Sequence, residues 1–170
     1  MRFILNRSQM VIATAILFIP ALSITLVFGI GSLWGATDPF TLTLEADENS
    51  IKAGAEVKVD VTLRNSSGRA MYISFGLTEA DYTFEVRDGE RRVPPETDFA
   101  RKSKAKPYFS SDQVFYLQPG ESLPKAPLMV TRFYDLSRPG KYTIQVSRVA
   151  PKELGGRTIK SNTITITVTE

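Results

Sequence analysis

The chain has 170 residues, 42% hydrophobic and 23% charged, which is room for one globular domain and a short extra segment. It contains no cysteine and no histidine. That excludes disulfides, thiolate catalysis, cysteine-ligated zinc and a lipoprotein anchor, and it removes the usual neutral-pH general base and the commonest metal ligand. The net charge is +3, but Arg2 and Arg7 lie in a stretch without Asp or Glu; from Thr37 onward 19 basic residues face 18 acidic ones. The rest of the chain is thus nearly neutral and offers no nucleic-acid surface.

Residues 1–9 form a short basic lead-in, and residues 10–36 run without a single charge. Such a run is long enough to cross about 30 Å of hydrocarbon as a helix. The arginines before it, with no positive charge after it until Lys52, predict the N-terminus inside and the remainder outside. Trp34 suits a membrane-interface anchor, and a spanning helix tolerates Pro20. The competing reading is a cleaved signal peptide, which would leave a secreted or periplasmic protein. Its cleavage sites are poor, because cutting after Ala36 places Trp34 at the −3 position and the Gly29/Gly31 pair lies inside the apolar run. The preferred expectation is a single-pass anchor through residues 10–34 of the cytoplasmic membrane. Either way the chain divides into 1–36 and an extracytoplasmic domain over 37–170.

Beyond Thr37 the period becomes two. Residues 40–44 and 57–63 alternate, the pattern of strands with one face buried and the other wet, and Asn65-Ser-Ser-Gly68 supplies turn residues. Strands follow at 71–75 and 82–86, the latter ending on the hairpin-grade Asp88-Gly89. The stretch 90–112 has three prolines and no alternation, and reads as a long irregular crossover. Further strands are expected at 114–117, at 128–134 with Pro127 marking an edge or bulge, and at 141–149, the strongest interior candidate. A loop over 150–160 leads to the last strand, 162–168, which pairs with 141–149 as a hairpin. Seven to nine strands with no amphipathic helix after the anchor predict an all-β, immunoglobulin-like antiparallel β-sandwich.

Asp135-Leu-Ser-Arg-Pro-Gly-Lys-Tyr142 places Tyr142 just inside a strand after a Pro-Gly turn. This is the pattern of a tyrosine corner, whose hydroxyl bonds back to the chain before the turn; the plainer alternative is a β-favouring tyrosine after a common turn. Val61-Thr-Leu-Arg-Asn-Ser-Ser67, Tyr82-Thr-Phe-Glu-Val-Arg-Asp-Gly89, Leu117-Gln-Pro-Gly-Glu121 and Pro139-Gly-Lys-Tyr-Thr-Ile144 occur in the order seen in the BsuPI-type proteinase inhibitor domain. The chain resembles that family over roughly residues 55–147. The resemblance implies a bacterial immunoglobulin-like sandwich and, secondarily, inhibition of a protease; it transfers no inhibitory loop residue by residue.

Asp47-Glu48, Glu79 with Asp81, and Asp88 with Glu90 lack calcium-loop spacing and read as solvated turn carboxylates. Gly155-Gly156 lacks the strand, spacing and lysine of a phosphate loop, and Asn65-Ser66-Ser67 matches a glycosylation acceptor. The segment of most interest is basic and aromatic: Arg91, Arg92, Arg101, Lys102, Lys104 and Lys106, followed by Tyr108 and Phe109. It could hold an anionic partner such as lipid head groups or an acidic polymer; the commoner use of such a run is a solvated loop with the two aromatics tucked into the core. The expectation is a non-catalytic, cofactor-free binding or scaffolding module of the cell envelope whose partner is a protein or another envelope component. It would act through the 90–112 loop or an exposed sheet edge. The alternative is a proteinase inhibitor acting through 90–112 or 150–160.

Overall fold

The structure, a computed structural model, describes residues 38–75, 81–105 and 113–170. The expected hydrophobic helix, Glu79, Lys106, Tyr108 and Phe109 lie outside these residues. Among the described residues, no helix is long and apolar enough to cross a membrane.

The described chain is mostly β. Its ten strands are β1 Phe40–Ala46, β2 Ser50–Lys52, β3 Lys58–Asn65, β4 Met71–Phe75, β5 Thr83–Arg87, β6 Gln113–Leu117, β7 Ala126–Met129, β8 Gly140–Val149, β9 Thr158–Lys160 and β10 Ile164–Thr169. One sheet has the order β1-β3-β7; a second runs β2-β10-β8-β5, with β9 also paired to β8; β4 and β6 form a two-stranded ribbon. The alternation visible in the sequence decides which face is buried. Phe40, Leu42 and Leu44 of β1, Val59, Val61 and Leu63 of β3, Tyr142, Ile144 and Val146 of β8, and Ile166 and Val168 of β10 all join one core. Each fully buried aliphatic side chain contributes roughly 1.5–3 kcal/mol. The expected interior strand is indeed flanked on both sides, by β5 and β10.

Polar side chains make the joints between sheets. Asn65 is fully buried at the end of β3. Its Nδ2 donates to Arg69 O at 2.9 Å and to Leu117 O at 3.0 Å, while Oδ1 accepts from Ser67 N at 2.9 Å and Ser67 Oγ at 2.7 Å. One carboxamide therefore ties β3 to the 66–69 turn and to the end of β6. Asn162 does the same between the larger sheets: Leu44 N donates to its Oδ1 at 2.8 Å and its Nδ2 donates to Leu44 O at 2.9 Å, as a neighbouring strand would.

The structure corrects several expectations. The crossover over 90–112 is not wholly irregular, because α1 (Asp98–Ala105) occupies its middle. Thr97 caps that helix by accepting from Ala100 N at 3.2 Å, Ala100 is buried, and Phe99 meets Phe133 edge-on at 5.5 Å. The domain therefore does contain a short helix with one packed face. Pairing is not purely antiparallel, since β2 joins β10 in parallel. The strand expected at 128–134 ends at Met129, where a 3-10 turn over Val130–Arg132 buries Val130 and brings Phe133 to 5.2 Å from Phe84. The 150–160 loop contains β9, and the last strand starts at Ile164 because Asn162 is used as the inter-sheet joint. The three-residue match to a glycosylation acceptor falls on a buried side chain, for Asn65 has no exposed surface and its amide nitrogen already makes two bonds.

Replacing Asn65 with Leu should destabilise a soluble fragment beginning at Thr37 by about 2–3 kcal/mol in urea denaturation, since it strands Leu117 O and Ser67 N. A loss below about 1 kcal/mol would mean that water replaces these partners.

Candidate interaction surfaces

β8 runs ten residues from Gly140 to Val149, roughly 30 Å, and gives the domain two ends. At the Gly140 end lie the turn after β5 and Tyr142. At the Val149 end lie Asp38, where β1 begins, and the 66–69 and 118–121 turns; Asp38 meets Arg157 at 3.2 Å, and its carbonyl accepts from Ser66 Oγ at 2.8 Å.

The turn after β5 is organised by one carboxylate. Asp88 Oδ1 accepts from Glu90 N at 2.9 Å and Arg92 N at 2.8 Å, and Oδ2 accepts from Arg92 Nε at 2.9 Å. Asp88 N donates to Arg92 O at 2.9 Å and Arg91 N to Asp88 O at 2.9 Å, closing the loop on itself. Arg91 sits at the apex with φ +65°, the left-handed region that is costly for a residue bearing a side chain. Desolvation pulls the Asp88 carboxyl upward, but the bonds from Arg92 and Glu90 outweigh it and hold its pKa below the ordinary value of 3.8. Beside the turn is a recess of about 440 Å³ whose walls include Val93, Pro95, Arg138 and Tyr142. The Tyr142 hydroxyl donates to Arg138 O at 2.8 Å and spans the Pro139-Gly140 turn. Burial, with Asp88 and Asp135 nearby, raises the Tyr142 pKa.

The structure does not gather the expected basic residues into one patch. Arg91 and Arg92 belong to the closed turn, where Arg92 is committed to Asp88 and, at 2.8 Å, to Glu90. Arg101 lies on α1, paired with Asp98 and bonded to Glu96 O at 2.7 Å. Lys102 is exposed on the same helix. Lys104 is also on α1, its side chain outside the described structure, as are Lys106, Tyr108 and Phe109 entirely.

A surface that the sequence reading did not single out is the outer face of the β4–β6 ribbon. In register, Tyr72 faces Tyr116 and Ser74 faces Val114. Tyr72, Val114 and Tyr116 are 68%, 66% and 51% exposed, and the two tyrosine rings lie 4.9 Å apart. The inner face, with Met71, Ile73 and Leu117, is buried. A signal was present: Met71-Tyr-Ile and Val114-Phe-Tyr-Leu117 are apolar on both faces, whereas β1, β3, β5, β8 and β10 alternate with polar residues. Arg148, only 8% exposed, fixes the far end of the ribbon by donating to Ser74 O; Asp81 lies 3.8 Å away and the Tyr82 ring 5.7 Å. Burial raises the Tyr82 pKa against the opposing pull of Arg148.

Among the described residues no group of three or more acidic side chains could hold a metal ion. No protein-family model matches the chain, and no curated protein matches it.

The depressed Asp88 pKa has a definite sign. Its stabilisation of the turn is complete above the ordinary carboxyl value and fades as pH falls through the lowered one. The amide proton shifts of Glu90 and Arg92 should titrate together with a midpoint below 3.8. A midpoint at or above that value would show that the carboxylate does not hold the loop. Tyr142→Phe, which removes one hydrogen bond, should cost about 1 kcal/mol of stability by the same urea measurement.

Proposed function

We propose that this chain is an extracytoplasmic, immunoglobulin-like β-sandwich, tethered to the cytoplasmic membrane through residues 10–34, that works by binding a partner at its Gly140 end. The sandwich reading is supported by the three-stranded and five-stranded sheets sharing one core and by the hydroxyl bridge from Tyr142 across the turn that starts β8. The binding reading is carried by the turn over 88–92, which stands exposed yet is locked by its own hydrogen bonds. A loop already fixed in one conformation loses little entropy when a partner docks, so more of its contact energy becomes affinity. With Glu90, Arg92, Asp135, Arg138 and Lys141 around the recess, the matching surface is a protein face of mixed charge and not a polyanion. A chain lacking histidine and cysteine is better suited to such recognition than to acid–base or nucleophilic chemistry.

The second reading, a proteinase inhibitor, rests on the resemblance over 55–147 and on the same exposed turn. Against it, an apex with Arg91 at positive φ is curled, whereas a peptide that adds to a protease edge as a strand is extended.

The full chain, placed in its native membrane with a photoreactive residue at position 91, should yield a discrete protein adduct. The same residue at exposed Thr41, on the outer face of β1, should yield none. Identical adducts from both positions, or none from position 91, would remove the proposed contact. Titration against a panel of proteases tests the second reading, and unchanged activity of every protease would end it.

A further inference from the structure

Exposed tyrosine and valine suit β-strands on propensity alone, so the exposure of Tyr72, Val114 and Tyr116 carries little by itself. Their position in the domain carries more. Phe40, fully buried, pairs with Asn65, whose amide bonds Leu117 O; Leu117 in turn pairs with Met71, one residue from Tyr72 and from Tyr116. The aromatic ribbon is therefore built beside the point where the chain enters β1. The apolar run proposed above as the tether, residues 10–34, ends six residues before Phe40. Six extended residues reach at most about 22 Å. Whatever surface receives that run lies within this distance of the Asp38 end of the domain.

We propose that the outer face of the β4–β6 ribbon rests on the bilayer, with the Tyr72 and Tyr116 rings at head-group level. The inference depends on the tether proposed above for residues 10–34. Tyrosine has an apolar ring and a polar tip, and is enriched where membrane meets water for that reason. The head-group layer is roughly 5–8 Å deep on each side, comparable to the depth of a tyrosine side chain. Exposed Arg69 adds a cation near the ribbon, but Asp38 and Glu121 lie at the same end, so the seating relies on aromatic area more than on charge. The domain then stands on its Asp38 end, and the turn over 88–92 is held about 30 Å from the lipid, facing outward.

The test uses the full chain with Trp34→Phe, removing the only tryptophan, and adds one of Tyr72→Trp, Tyr116→Trp or Val93→Trp. Each variant is reconstituted into phosphatidylethanolamine–phosphatidylglycerol vesicles, with and without bromine on the shallow acyl carbons. Flotation after an alkaline carbonate wash reports the tether independently of the fluorescence. The expected result is flotation of all three variants, with bromolipid quenching emission roughly twofold at positions 72 and 116 and leaving position 93 unchanged, as for aromatics held at the interface. Flotation without quenching at 72 and 116 overturns the seating and leaves the tether standing. A blue-shifted but unquenched emission there overturns it in favour of a second copy or a protein partner. Equal quenching at position 93 also overturns it, since the domain would then lie without orientation. A chain that fails to float overturns the tether and the seating together.

Discussion

Where the margin of a β-sheet is buried, its backbone groups still need partners, and each one left unmet costs about 1–3 kcal/mol. A structure that divides its strands among three small sheets meets that demand at every junction. Here side-chain carboxamides answer it. Asn65 supplies two donors and a shared acceptor where β3, the 66–69 turn and the end of β6 converge, and it does so with no exposed surface. Asn162 acts as a substitute strand for Leu44, closing the edge of β1 that would otherwise invite another chain. Apolar packing supplies most of the stabilisation, but these two residues determine which sheet margins meet.

The placement of the surfaces follows from those joints. Because Asn65 binds Leu117 O, the ribbon of β4 and β6 must start beside the entrance to β1. Because Arg148 reaches Ser74 O, the ribbon is also tied to the last residues of β8. Its inner residues are thus drawn into the common core, and its outer tyrosines are left on the surface at one end. A buried arginine near Asp81 is weak evidence of stabilisation, since desolvating both charges offsets much of their attraction. Its evident role is geometric: a long cationic side chain reaches a carbonyl on an element that shares no strand pairing with β8.

The strands that alternate were legible because period-two patterning follows directly from burying one face. So was the turn geometry at Tyr142, since a Pro-Gly turn before a strand fixes where the ring must go. Other features were illegible for definable reasons. β2 and β9 are three residues each, too short for a periodic signal, and the parallel pairing of β2 is a matter of topology alone. Asn65-Ser-Ser-Gly reads as a solvent-facing turn because turn residues are usually exposed, and nothing local reveals that the first of them is buried. Helix α1 was hidden by the prolines before it, although Thr97-Asp98 ahead of alanine and lysine was a capping signal.

The basic segment shows why a charge run in sequence is a poor guide to a charged surface. Counted along the chain, residues 91–106 look like a cationic patch. In space the charges are divided between a turn and a helix, and acidic neighbours absorb two of them: Asp88 and Glu90 hold Arg92, and Asp98 holds Arg101. Exposed pairs of this kind contribute little to stability, but they fix side-chain direction and cancel long-range field. What survives at the turn is shape: an apex held at positive φ by a carboxylate that accepts three hydrogen bonds. A partner that depended on net positive charge would meet a neutralised Arg92 there. One that read the fixed positions of Glu90, Arg91 and Val93 would meet a surface already in one shape, so the binding proposed for this end would rest on geometry first and charge second.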